Sequence, residues 1–192
     1  MYFFTFATMK KLGVIQEGLG SLLLSFRTKW NNRKPKFYTF DNAKTIGILY
    51  DATNKNTHQK VSEFADMIVH THPNIAVQAL GFLSNPETEI SLPQSVQTDF
   101  FSAKDFNWTG GLIKGKALDF TRKRFDILFD ITTETSYPLH YIALASKASY
   151  KVGRYIENDL RYDLLIDTKK ENTIEYLILQ INVYLTKIKA KQ

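Results

Sequence analysis

This chain predicts an α/β fold, a three-layer Rossmann-like and mostly parallel sheet with helices on both faces, plus an N-terminal basic amphipathic helix. Two observations carry the body of that expectation. Short apolar runs such as Ile46 to Tyr50 and Asp126 to Ile131 alternate with segments of helical period, which is how parallel strands and their crossover helices are written. The 192 residues, 44% apolar and 23% charged, suffice for one well-buried core and match ordinary globular composition.

The elements follow in order. Leu12, Ile15, Leu19, Leu22, Leu23, Phe26 and Trp30 recur every three or four residues, which puts them on one stripe of a helix. The polar, basic stretch from Asn31 to Lys36 contains Pro35 and reads as a linker. Residues 1–36 are therefore expected to form a basic helix and linker, and residues 37–192 a single α/β domain. Ile46 to Tyr50 is the first strand. Asn56 or Thr57 is placed to cap a helix whose Val61, Phe64, Ala65, Ile68 and Val69 share a face, stopped by Pro73. Ile75 to Phe82 is the second strand. Residues 83 to 116 are the least regular, with Pro86, Pro93 and Gly110-Gly111 around a strand near Thr98 to Ser102. A short helix from Ala117 to Lys123 feeds the strand Asp126 to Ile131. Ser136 and Pro138 suit the cap and first turn of a helix reaching Ala148. Tyr150 to Gly153 and Tyr162 to Ile166 are further strands. The helix Glu171 to Lys189 closes the chain, with Ile174, Leu177, Ile178, Ile181, Leu185 and Ile188 on one face.

Charge is unevenly distributed. The first forty residues hold seven of the 25 basic side chains (Lys10, Lys11, Arg27, Lys29, Arg33, Lys34 and Lys36) and only Glu17 of the 19 acidic ones. Eighteen of each sign remain beyond them, so this segment carries the whole net charge of +6. Charge position alone does not separate polyanions. The segment is open to docking on its own domain, to a second copy, to a partner protein, to RNA or to an anionic membrane surface. Basic residues beside aromatic ones can follow phosphates and stack bases, which makes Lys29, Trp30, Arg33, Lys34 and Lys36 the candidate partner-binding residues. Three glycines, Gly13, Gly18 and Gly20, weaken the helix for membrane-interface use.

Several chemistries find no support. Without cysteine the chain has no disulfide, thiolate metal site or cysteine nucleophile. No run of about 18 apolar residues offers a spanning helix. Met1 to Met9 is aromatic and precedes Lys10 and Lys11, the reverse of a signal peptide's order, and a start at Met9 reads more naturally. A cytoplasmic location, peripheral to the membrane at most, is expected. His58, His70, His72 and His140 lack metal-ligand spacing and are read as surface or capping residues. Gly110 to Lys116 has the spacing of a phosphate loop, yet Ala117 replaces the magnesium-binding hydroxyl and no good strand precedes it, so a basic glycine hairpin is expected. The turn after the first strand lacks the glycines of a dinucleotide fingerprint.

What remains is the carboxyl edge of the sheet, where open parallel sheets bind their ligands. Asp51, Asp130 and Asp167 each end a predicted strand. Converged, they would suit a divalent cation or an acid–base pair. Scattered, they are turn and cap residues, the reading favoured here because short acceptors are wanted after strands. One short echo stands out, Arg124-Phe125-Asp126-Ile127-Leu128-Phe129-Asp130 against Arg161-Tyr162-Asp163-Leu164-Leu165-Ile166-Asp167, which two buried strands of one sheet reach by convergence.

At Phe40 to Ala43, Ile46 to Ala52, Phe125 to Asp130, Pro138 to Ala143 and Lys151 to Gly153, the chain resembles an uncharacterised family of small α/β proteins from Bacteroidota. The likeness spans most of residues 37 to 192. It implies a cytoplasmic bacterial protein and transfers no catalytic residue. Phe125 to Arg154 is also similar to one Rossmann-like half of glycosyltransferases, with a strand ending in aspartate, a helix, and a strand ending in Gly-Arg. The expected role is a non-enzymatic binding or adaptor module that engages a macromolecule through residues 10–36, without cofactor or metal. The alternative is a small enzyme or ligand-binding protein for a phosphate, nucleotide or nucleotide sugar, with Asp51, Asp130 and Asp167 as residues to test.

Overall fold

The computed structural model describes residues 35–85, 98–107, 110–134, 136–156 and 161–187. In chain order these form β1 (Thr45–Asp51), α1 (Lys55–Thr71), β2 (Ala76–Leu83), β3 (Thr98–Ser102), α2 (Gly115–Arg122), β4 (Ile127–Asp130), α3 (Tyr137–Ala145), β5 (Tyr150–Arg154), β6 (Leu164–Ile166) and α4 (Ile174–Lys187). The strands make one sheet in the order β3-β2-β1-β4-β5-β6, and every adjacent pair is parallel. The strand order reverses between β1 and β4, the topological switch point of a doubly wound sheet.

Alternation along the strands divides the core into two layers. Ile46, Ile48, Tyr50, Val77, Ala79, Ile127, Phe129 and Val152 meet Val61, Phe64, Ala65 and Ile68 of α1 and Leu177, Ile181 and Leu185 of α4. Leu49, Leu80, Phe101 and Leu128 meet Ala117 and Phe120 of α2 and Leu139 and Ile142 of α3 on the opposite face. The three layers read from the sequence are present. The predicted N-terminal helix lies outside the described residues.

Local differences from the sequence reading have local causes. Helix α1 starts two residues early because Asn54, three residues past the end of β1, caps it by accepting the Asn56 N–H at 2.8 Å. Val69, placed on the core face by spacing, is 40% exposed on the last full turn of α1. His58 is buried rather than on the surface, its Nδ1 2.7 Å from the Tyr50 hydroxyl, whose ionisation burial pushes well above the usual tyrosine range. His72 does cap α1, its N–H bonding the Ile68 carbonyl. Helix α3 stops at Ala145 because the buried Lys151 ammonium, reaching across from β5, takes the Ala143 and Leu144 carbonyls at 2.7 and 3.3 Å. A cation at that end also suits the helix dipole.

The sequence echo has a specific structural meaning. Asp126, just before β4, accepts the N–H groups of Lys44 and Thr45 at 2.7 and 3.0 Å and returns its own N–H to the Thr45 carbonyl. Asp163, just before β6, accepts the Lys151 N–H at 2.7 Å and returns its N–H to the Lys151 carbonyl. The preceding aromatic lies over a glycine two residues further along the clamped strand. A Cβ at Gly47 would stand 2.9 Å from Phe125, and one at Gly153 would stand 2.7 Å from Tyr162. The same aromatic–aspartate clamp thus ties β4 to β1 and β6 to β5. Pairing of β6 begins at Leu164 rather than Tyr162 because Tyr162 and Asp163 serve the clamp.

Candidate functional site

At the switch point the carboxyl ends of β1 and β4 open a cleft of about 640 Å³. The turn into α1 contributes Asp51, Thr53, Asn54, Lys55 and Thr57, the segment after β4 contributes Ile131, Thr132, Thr133 and Glu134, and Ile174 of α4 closes one side. The wall is evenly polar and apolar: four threonine hydroxyls and the Asn54 amide stand with carboxylates at Asp51 and Glu134, an ammonium at Lys55 and two isoleucines. The first turn of α1 holds no acidic residue. Its amides are partly committed: Asn54 takes the Asn56 N–H, and Asp51 takes the Thr53 N–H at 2.9 Å.

The three predicted aspartates have different fates. Asp51 lines the cleft while holding that turn. Asp167 is exposed, holds a similar turn by accepting the Lys169 N–H at 2.8 Å, and does not line the cleft. Asp130 is 1% exposed. It accepts hydrogen bonds from the Tyr162 hydroxyl and from Thr132 Oγ1, the latter at 2.7 Å. Burial raises its carboxyl above the ordinary carboxylate value, opposed by those two hydrogen bonds and by the charge of Arg161. Asp130 therefore stands behind the cleft wall formed by its neighbours Ile131 and Thr132. Asp51 and Asp167 each serve as a turn acceptor, and of the three predicted aspartates only Asp51 lines the opening, where Glu134 is a second carboxylate. Among the described residues, no group of three His, Asp or Glu side chains is placed to hold a metal ion.

Only the start of the glycine-rich run pairs antiparallel as expected, while Gly115 and Lys116 open α2. Asn107 N–H bonds the Gly111 carbonyl at 2.8 Å, Gly110 N–H bonds the Asn107 carbonyl at 2.9 Å, and Phe106 bridges antiparallel to Leu112. Gly110 takes a φ of 80°, which explains a glycine there. Of the predicted partner-binding residues, Lys29, Trp30, Arg33 and Lys34 lie outside the described residues. Lys36 is exposed, its N–H bonding the Ser149 carbonyl at 3.1 Å and its ammonium 4.9 Å from the centre of the Tyr38 ring. The sequence reading missed Thr132, Thr133 and Glu134. Their signal was available as a polar run directly after a strand at the switch point, legible once the strand order is known.

A family of unknown function, DUF6913, matches residues 21–188. The chain belongs to that family. No curated protein and no solved structure matches it. The DUF6913 match begins at Ser21, so it takes in part of the basic segment together with the sheet and α4. Among the described residues, no helix of this DUF6913 chain is long and apolar enough to cross a membrane.

Proposed function

We propose that this chain is a non-enzymatic binding module whose switch-point cleft takes a small hydroxyl-rich ligand of the sugar or nucleoside kind. The observation that carries this reading is the composition of the cleft wall. Asp51 and Glu134 are acceptors for ligand hydroxyls, Thr53, Thr57, Thr132 and Thr133 both donate and accept, and Lys55 adds one cationic donor. The amides of the α1 turn are already partly used, which argues against a phosphate cradle as the main anchor. Burial keeps Asp130 from reaching a substrate and the Thr53 N–H engages Asp51, which argues against the predicted aspartates as an acid–base pair.

Calorimetric titration of the full chain with UDP-glucose, ATP and inorganic phosphate tests it. Saturable binding of a sugar- or ribose-bearing probe, recovered intact and weakened roughly 10-fold or more in Glu134→Gln, is expected for a lost charge-assisted hydrogen bond. Conversion of the probe to product would make the chain an enzyme, and binding of phosphate alone would move the ligand class.

The uneven charge supports a second interaction. On this reading the chain is a cytoplasmic protein of Bacteroidota that meets a protein, RNA or an anionic membrane surface through residues 10–36. Changing Lys29, Arg33, Lys34 and Lys36 to glutamine in the full chain would flatten the salt dependence of RNA or vesicle binding, because each neutralised contact releases fewer counterions. An unchanged slope would remove polyanions from consideration.

A further inference from the structure

Helix α4 is apolar on two sides. Leu177, Ile181 and Leu185 face the core, and at 100° per residue Tyr176, Leu179 and Val183 fall on the opposite side. Leu179 is 55% exposed, Tyr176 and Val183 are half-buried, and Tyr184, flanking that stripe, is 41% exposed. Exposed Glu175, Thr186 and Lys187 border this row, as on an ordinary surface helix, but its three apolar side chains are aligned, which marks a narrow face with an occupant.

The path of the chain points to that occupant. Lys36 N–H bonds the Ser149 carbonyl and the Phe37 ring packs edge-on against Tyr150 at 5.2 Å, both at the amino end of β5. Phe37 and Tyr38 pack against the same core layer as α4. That helix returns from the carboxyl edge after β6, so its last turn also ends on the amino side. The described chain therefore begins on the same side of the sheet as the end of α4. They carry Leu12, Ile15, Leu19, Leu22, Leu23, Phe26 and Trp30 at helical spacing, a row of about 27 Å at 1.5 Å per residue, against about 20 Å for α4. The family match, which begins at Ser21, spans the second half of this row as well as α4.

We propose that residues 12–30 form an amphipathic helix that docks in cis on the outer face of α4, covering Tyr176, Leu179 and Val183. The basic side chains between the apolar positions, Arg27 and Lys29 among them, then lie on the helix's other sides. This goes beyond the ligand reading and stands whether or not a polyanion meets the basic side.

The absence of cysteine makes the test direct. In the full chain, Leu22→Cys and Leu179→Cys are introduced together and treated with a short bis-maleimide at low protein concentration. The expected result is a cross-link within one chain, formed much faster than in a control pairing Leu22→Cys with Asp119→Cys, an exposed position on α2 across the sheet. Adding Val183→Glu should slow it about tenfold, as loss of one buried apolar side chain implies. Leu179 and Asp119 are exposed and Val183 is half-buried, so folding is expected to survive and is checked by circular dichroism. Cross-links only between chains would assign the face to a second copy, and a rate equal to the control would leave residues 12–30 undocked. Either result overturns the proposal.

Discussion

The two aromatic–aspartate clamps are built from the same sequence pattern, yet they sit in different surroundings. At the first, Phe125 lies buried over Gly47 and against Phe120, their ring centroids 4.7 Å apart, between two interior strands. At the second, half-buried Tyr162 lies over Gly153 beside the edge strand β6, and its hydroxyl reaches back to Asp130 at the end of β4. The first clamp is a packing device. The second adds a polar link that holds a buried carboxylate next to the cleft wall, so one local motif serves the fold in one place and the site's frame in the other.

The strongest way to break this comparison is to fill the glycines. Gly47→Ala pushes a methyl group into Phe125 and Phe120 where nothing can yield, and should cost about 3 kcal/mol. Gly153→Ala meets a ring beside the sheet edge that can shift, and should cost about 1 kcal/mol. Urea denaturation of both variants measures the difference, and equal losses would erase the distinction between interior and edge. Next in size, Asp126→Ala removes the acceptor for the Lys44 and Thr45 N–H groups between interior strands and should cost about 2 kcal/mol, against about 1 kcal/mol for Asp163→Ala, which removes the acceptor for the Lys151 N–H beside the sheet edge.

The polar link is sharpened by pH. Asp130 has its folded-state value raised, so between the ordinary value and the folded one the native protein holds a proton that the unfolded chain has released. Its stabilising contribution is full below the ordinary carboxylate value and declines as pH rises through that window. Asp130→Asn should flatten this decline, by at most about 1.4 kcal/mol per pH unit. Tyr162→Phe removes one of the bonds that favour the ionised form, so the window should extend upward and stability at neutral pH should fall by about 1 kcal/mol. Denaturation midpoints from pH 4 to 8, the span where acid-linked effects are read, would show a parallel curve for Tyr162→Phe if the bond were inconsequential. The smallest effect belongs to Asp51→Asn and Asp167→Asn. Asparagine keeps the turn acceptor, so both should stay within about 0.5 kcal/mol of wild type.

Much of this fold was legible because buried parallel strands and amphipathic helices leave simple patterns. The strand Thr98 to Ser102 was read at its observed limits, and the core faces of α1 and α4 follow their spacing apart from Val69, with Ile188 outside the described residues. Caps were harder. Asn54, Asn56 and Thr57 are all competent, and only the end of β1 decides among them. The clamps were visible as an echo, but their partners Thr45, Gly47, Lys151 and Gly153 are supplied by strand pairing, a non-local fact. The site was half legible for the same reason. Strand-ending aspartates mark the carboxyl edge, but whether each faces the cleft, a turn or the interior depends on which strands are neighbours. Lys151 gave no sign of being buried, because its partners are carbonyls freed where α3 ends.

The most direct test of the binding reading is a titration of the isotopically labelled full chain with UDP-glucose, followed by amide resonances. The account predicts saturable shifts centred on Thr53, Lys55 and Thr132 to Glu134, with the ligand unchanged at the end. Shifts centred elsewhere, or steady appearance of product, would contradict it.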